Sequence, residues 1–473
     1  MKYVIVGAGP TGLSLAYVLA NNGYEVDLIE KDAQLGGSWN AQWAEGKYFS
    51  ESSPRVLLYP SEFFNFLFDI GMTMDDFGNI YGNFFQTMIK FSGFFMKHFT
   101  LNDYLIFTQG VMIHKLSRTE KTFQDWLDTS GLSEGAKKAL TIFCITINAE
   151  PYNTHINDMF GAVSPIIHVK QMKDPNQWLK IIEHKFSLLP NIKVYKNMEV
   201  INLTSKDGKI ERIIAKNNRT AKVMAFEGER FVIATEPNAF PNMIKNASSD
   251  IKNNWNSYNW LKEWSSKSFY IGFGFQLHFR EKIEFPDEWC WSCKDDWNVI
   301  ITPVSNWLNE KSKDPLINTV WSCCITKMDA KSSKLKLTAN QCSREQIIDE
   351  SLRQIRNGMT TSLPKPYKVT YSDGLYRMNN KWISKNTGFS RQPNLGYLPI
   401  QGNIENLFAL GCYTNTGINM VAHSGTAIGA TMKFLNEYEP RLSGFHNKYH
   451  KHRLLIMTVL IFIYYRYLIS KKK

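Results

Sequence analysis

With 473 residues the chain is too long for one ordinary core, so two intertwined domains are expected. Its 44% hydrophobic and 21% charged residues exclude a disordered polymer. A net charge of +12 points to an acidic partner, and the dispersal of the basic residues favours an anionic membrane surface over nucleic acid.

Tyr3 to Val6 is a short strand-like run that enters a glycine turn. Lys2 and the apolar residues after it imitate a signal peptide, but Gly7, Gly9, Pro10 and Gly12 interrupt the stretch and no cleavage pattern follows. Pro10 to Ala20 carries apolar residues at helical spacing, Gly23 is its stop, and Glu25 to Glu30 reads as a second strand. Strand, tight turn, helix and strand within about thirty residues make a βαβ unit.

Gly7-Ala8-Gly9-Pro10-Thr11-Gly12 fits the G-x-G-x-x-G pattern inside that unit. The first glycine permits the tight turn, the second admits a diphosphate, and the third lets helix and strand pack closely. The helix N-terminus then faces the anion. Glu30, about 18 residues beyond Gly12, is placed to accept hydrogen bonds from a ribose and disfavours the 2′-phosphate of NADP. A glycine turn can also exist without a ligand, but the flanking strand, helix and acid argue for a dinucleotide.

From Pro60 to Ile145 the pattern is mostly helical and aromatic, and the aromatic residues between Phe63 and Phe107 suit either a core or an apolar pocket. Trp126 to Leu140 holds a helix, a Ser-Gly turn and the start of another helix, and Gln177 to Leu188 is an amphipathic helix. Asn191 to Ala215 reads as strands joined at Lys206-Asp207-Gly208-Lys209, a hairpin signal. Phe231 to Ala234 is a buried strand, and Ser268 to Phe279 with Val299 to Cys324 predicts a sheet in a second domain.

Seven cysteines without framework spacing indicate a reducing compartment. Cys290-Trp291-Ser292-Cys293 and Cys323-Cys324 lack the spacing of a zinc site, and no metal is expected. The glycosylation sequons at Asn202, Asn218 and Asn246 matter only in a secretory lumen, which is not expected. Leu407 to Leu410 is another short buried strand, followed by Gly411 and a helix from about Val421 to Leu435. Leu454 to Tyr465 is an apolar run flanked by basic residues and extended past Arg466. It is expected to be a C-terminal membrane anchor, with an interfacial or core helix as alternatives.

Two further segments bear on the cofactor: Lys31-Asp32-Ala33-Gln34-Leu35-Gly36-Gly37-Ser38-Trp39, and Leu407 to Cys412 with Ala422 to Ala427 beyond it. On these the chain resembles the flavin-containing amine oxidase and phytoene desaturase-like superfamily, which also contains protoporphyrinogen oxidases. The resemblance implies FAD as the cofactor. It also implies an α/β fold: a Rossmann-like FAD-binding domain, a discontinuous α+β substrate domain and a C-terminal hydrophobic helix. The FAD-binding domain would comprise 1–60, 190–240 and 390–440, the substrate domain 61–189 and 241–389, and the hydrophobic segment 450–473.

By the same resemblance, Gly7, Gly9, Pro10, Thr11, Gly12, Glu30 and Lys31 hold the nucleotide end. Gly36, Gly37, Ser38 and Trp39 lie along the diphosphate and ribityl chain, and Val200 meets the adenine through its backbone. Ala234 with Thr235 closes the strand above it, while Gly411, Cys412, Gly417, Val421 and Ala422 hold the flavin end. Arg55 would stabilise reduced flavin, bind an acidic substrate group or form a surface ion pair.

Cys412 stands where the superfamily usually has an acid, and Gly274 where many amine oxidases have a lysine. No tyrosine pair near Gly417 supplies an aromatic cage, no second G-x-G-x-x-G follows, and no catalytic base is nominated. The expected enzyme oxidises an amine or a lipophilic substrate by hydride transfer to flavin N5, with oxygen or another acceptor closing the cycle. It would be membrane-attached with its catalytic domain in the cytoplasm. A non-catalytic, membrane-attached FAD-binding scaffold is the alternative.

Overall fold

The computed structural model describes residues 1–52, 57–59, 62–79, 98–116, 121–146, 151–152, 154–156, 159–160, 168–270, 272–284, 291–293, 295–359, 362–372, 374–378, 380–384, 388–389, 395–414 and 423–442. The elements that frame the site are, in chain order, β1 (Lys2–Val6), α1 (Pro10–Asn21), β2 (Glu25–Ile29), β3 (Ile192–Tyr195), β4 (Arg230–Ile233), β5 (Phe273–Phe279), β6 (Val299–Thr302), β7 (Thr319–Ile325), α2 (Arg344–Gly358), β8 (Lys368–Tyr371), β9 (Leu407–Ala409) and α3 (His423–Tyr438).

Five strands form one parallel sheet in the order β9-β4-β1-β2-β3. A parallel sheet is covered on both faces, and its strands are therefore continuously apolar. In β1 the alternation of side chains divides the core in two. Tyr3 and Ile5 join Leu13 and Ala16 of α1 and Phe434 of α3 on one face. Val4 and Val6 join Val200, Leu203, Ile213 and Trp264 on the other. This is the mixed α/β arrangement with a Rossmann-like sheet that the sequence predicts.

The second face is covered by a hairpin, Met198–Lys206 with Lys209–Asn217. Asp207 (φ 52°) and Gly208 (φ 76°) both take the positive φ that a two-residue type I′ turn requires.

A wholly antiparallel sheet follows in the order Trp291–Cys293, β6, β7, β5, β8. Phe273, Phe275, Leu277 and Phe279 of β5 face the core with Ile347, Leu352 and Ile355 of α2. Gln276 and His278 alternate to the opposite face, also fully buried.

Several expectations need correction. The region from Pro60 to Ile145, read as mostly helical, also contains the strand Phe77–Asn79. That strand pairs with His168–Met172, which in turn pairs with Leu57–Tyr59. Strands of three residues are too short to show a period-two pattern, so the surrounding aromatic run hides them. The late helix ends at Tyr438 rather than Leu435, and Val421 lies outside the described residues. The hydrophobic segment 450–473 also lies outside them. Among the described residues no helix is long and apolar enough to cross a membrane.

Candidate functional site

The carboxyl ends of the parallel strands converge on the turn from β1 into α1. Gly7 adopts φ +98°, and a Cβ there would meet the Ala234 carbonyl oxygen at 2.7 Å. A Cβ at Gly12 would run into the Gly7 carbonyl oxygen. Gly9 is different: among the described residues outside its own turn, no atom lies within 4 Å of where its Cβ would stand. The first and third glycines thus let the turn pack tightly, while the second leaves open space beside the start of α1.

Pro10 opens α1, where a proline loses nothing because the first helical N–H has no partner in the helix. Thr11 donates through Oγ1 to the Ala427 carbonyl at 3.3 Å, and Thr431 Oγ1 donates to the Thr11 carbonyl at 3.3 Å. These bonds hold α3 against the first turn of α1.

Glu30 lies one residue past β2, as its spacing predicts, but much of its carboxylate is committed to the turn. Its Oε2 accepts the Ala8 N–H at 2.7 Å and its Oε1 accepts the Asp32 N–H at 3.0 Å. Burial pushes its carboxyl up from the usual range, and those two N–H groups oppose the rise. Lone pairs remain on both oxygens for a ribose.

The Gly36-Gly37 turn closes over the same place. Gly36, at φ +104°, donates its N–H to the Ala8 carbonyl at 2.8 Å, and a Cβ on Gly37 would stand 3.3 Å from the Gly9 Cα. Ser38 accepts a hydrogen bond from Ser52 Oγ at 3.2 Å. Trp39 packs edge-on against Phe63, their ring centroids 4.9 Å apart.

Val200 is buried within the hairpin, opposite Ala215 beside a register irregularity. Ala234 continues β4 by donating to the Val6 carbonyl at 2.8 Å. Next to it, the buried Thr235 Oγ1 has no hydrogen-bond partner among the described residues. Gly411 is buried below the Tyr413 ring, and the Tyr413 hydroxyl donates to the Leu410 carbonyl at 2.8 Å. Burial pushes the Cys412 thiol up to about 12.

Arg55, Gly417, Val421 and Ala422 lie outside the described residues. Gly274 is a buried residue of β5 opposite Cys324. Among the described residues no three His, Cys, Asp or Glu side chains gather to hold a metal ion.

The residue that sequence reasoning missed is Glu236, just past β4. Its Oε2 lies 3.5 Å from Lys31 Nζ, and its side chain is 26% exposed. The signal was an acid three residues past a buried strand, but nothing local ties that strand to the glycine turn more than two hundred residues earlier.

Residues 5–66 match the NAD(P)-binding Rossmann-like domain. An all-trans-zeta-carotene desaturase of Myxococcus xanthus is 42% identical over 59 residues, which cover 12% of this chain and 11% of that enzyme. Sequence likeness to that relative is thus confined to about a tenth of its length. An oxidoreductase from Methanosarcina mazei shares the fold with a TM-score of 0.60 at 14% identity, over 92% of this chain and 100% of that one. A putrescine oxidase bound to putrescine gives 0.59 at 12% identity, over 91% and 98%. The chain thus shares the fold of these two structures, and its residues 5–66 carry the Rossmann-like nucleotide-binding segment.

Proposed function

We propose that the protein is an FAD-dependent oxidoreductase acting on a lipophilic or amine substrate. The observation that carries this reading is the open space at Gly9, framed by the start of α1 and by the Gly36-Gly37 turn. Gly9 and the N-terminus of α1 would take the diphosphate, since exposed helix N–H groups and the helix dipole favour an anion there. Glu30 would accept from the adenosine ribose, and the hairpin backbone at Val200 would meet the adenine. Gly36, Gly37, Ser38 and Gly411 would line the path to the flavin.

Bound flavin would supply a two-electron acceptor at N5 for a hydride from a substrate C–H bond, in an amine the one on the carbon that bears nitrogen, with oxygen or another acceptor reoxidising it. The chain's own contribution is to bind, to orient and to exclude water.

The division into an FAD-binding unit (1–60, 190–240, 390–440) and a substrate unit (61–189, 241–389) is part of this proposal. So is attachment of the catalytic domain to the cytoplasmic face of a membrane through 450–473. That attachment rests on the apolar run and its basic flanks, and flotation with anionic vesicles tests it against a chain lacking those residues.

The central test is the absorption spectrum of the purified full-length chain with and without added FAD. Flavin bands that stay with the protein through gel filtration are expected. A colourless protein that takes up no FAD would overturn the proposal.

A further inference from the structure

Four strands of the parallel sheet end in register: Val6 of β1 pairs with Ile29 of β2 and Ile233 of β4, and Ile233 pairs with Ala409 of β9. Gly9, Glu236 and Cys412 are each three residues past that row, and Glu30 is one past it. Glu236 leaves β4 on one side of β1 and reaches Lys31 beyond β2 on the other. The pair therefore crosses the mouth from which the glycine turn emerges.

This mouth is crowded with negative charge. Among the described residues Glu30, Asp32 and Glu236 all act on the Lys31 ammonium, where the FAD reading places a dianionic diphosphate. The N-terminus of α1 adds only about half a positive charge. Burial raises the Glu30 carboxyl, and two backbone N–H groups oppose that rise. Glu236 has Lys31 at 3.5 Å, and burial raises its carboxyl above the usual range. From β2 it is faced by Lys31 and Asp32. From β9 it is faced by the Cys412 thiol and the Tyr413 phenol, both of which it holds further toward their protonated forms.

We infer that Glu236 meets the cofactor as a neutral acid: the carboxyl takes up a proton on binding, its O–H turns to the cofactor, and Lys31 is released to the diphosphate. Cys412 removes the acid from the end of β9, and Glu236 supplies one from the end of the neighbouring strand. The inference rests on the FAD reading and adds to it a proton coupled to cofactor binding.

A bound anion raises the Glu236 pKa further, so the complex holds more protons than the apo-protein and affinity falls as pH rises through that window. Apo-protein titrated with FAD across a pH series, followed by quenching of flavin fluorescence, should show Kd rising with pH. The slope is limited to about tenfold per unit for one proton. Calorimetry in two buffers of different ionisation enthalpy should register proton uptake.

Glu236→Gln, which keeps a neutral donor, should bind as tightly as the parent does at low pH and show no slope. Lys31→Met should weaken binding at every pH, and Glu30→Gln should keep the slope. A flat Kd in the parent chain, a slope that survives Glu236→Gln, or one abolished by Glu30→Gln would each overturn the inference. Absence of FAD binding at every pH would instead overturn the FAD reading itself.

Discussion

Cys412 joins a nucleophilic residue type to a site that suppresses its nucleophile. The thiolate is the reactive form, and a thiol pushed up to about 12 by burial leaves almost none of it at neutral pH. Acid precipitation of the FAD-loaded protein should therefore leave the flavin in the supernatant, and Cys412→Ser should release it equally. Colour retained in the pellet of the parent chain and lost from that of the variant would contradict this. At this scale the glycine motif was legible, because close packing at Gly7 and Gly12 admits only glycine. Two features were not. The spacing identified Glu30 as an acid at a strand end but could not reveal that its oxygens clamp the Ala8 and Asp32 amides. Glu236 acquires its meaning only when β4 lies beside β1.

At the scale of elements, Asp103 ties two helices together. Its Oδ2 accepts the Thr100 N–H at 2.8 Å at the head of Leu101–Leu116, and its Oδ1 accepts the Ser133 N–H at 2.7 Å at the head of Glu134–Thr146. Burial works to raise this carboxyl, but these bonds and the Thr100 and Ser133 hydroxyls outweigh it and hold the pKa at about 2. A depressed folded-state pKa gives stability that is present above the unfolded value of 3.8 and lost as pH falls toward 2. Asp103→Asn should cost ~2 kcal/mol at neutral pH by chemical denaturation, and the difference from the parent should shrink below pH 3 or so. An equal deficit at both pH values would mean that the carboxylate charge is not what matters. The helices here were legible from their periodicity. Phe77–Asn79 and Leu57–Tyr59 were not, because strands so short exist only by virtue of the partner they pair with.

At the scale of the molecule, the second sheet is joined to the segment that follows the Gly-Gly turn. His278 of β5 donates through Nε2 to the Phe49 carbonyl at 3.1 Å, Gln276 donates to the Glu51 carbonyl at 2.9 Å, and Ser50 donates to the Tyr371 carbonyl at 3.0 Å. Burial lowers the His278 pKa from 6.5 to about 4, so the ring is neutral in the folded protein at neutral pH. The folded state then binds fewer protons than the unfolded one between those values, and stability is lost as pH falls through that window. The loss should reach ~3 kcal/mol near pH 4, and His278→Gln, which keeps a donor for Phe49, should lack that component in pH-dependent thermal melts. A variant with the acid-side slope of the parent would rule this out. The strand-rich character of both regions could be read in advance. Their order within each sheet could not, because a local pattern specifies burial but not the neighbour.

The order β9-β4-β1-β2-β3 also bears on how the chain is made. The ribosome delivers β1 first, yet the flanking β4 follows only near residue 230 and β9 only near 407, with α3 later still. A nascent chain can form the β1-α1-β2 unit of the nucleotide fingerprint early, with both edges of its two strands bare, and it cannot bury β4 on both sides until residues 407–409 have been made. Messages truncated before codon 400 would therefore yield polypeptides that carry the entire glycine fingerprint but lack the closed sheet that supports it, and such products would be substrates for quality-control proteases rather than for flavin loading.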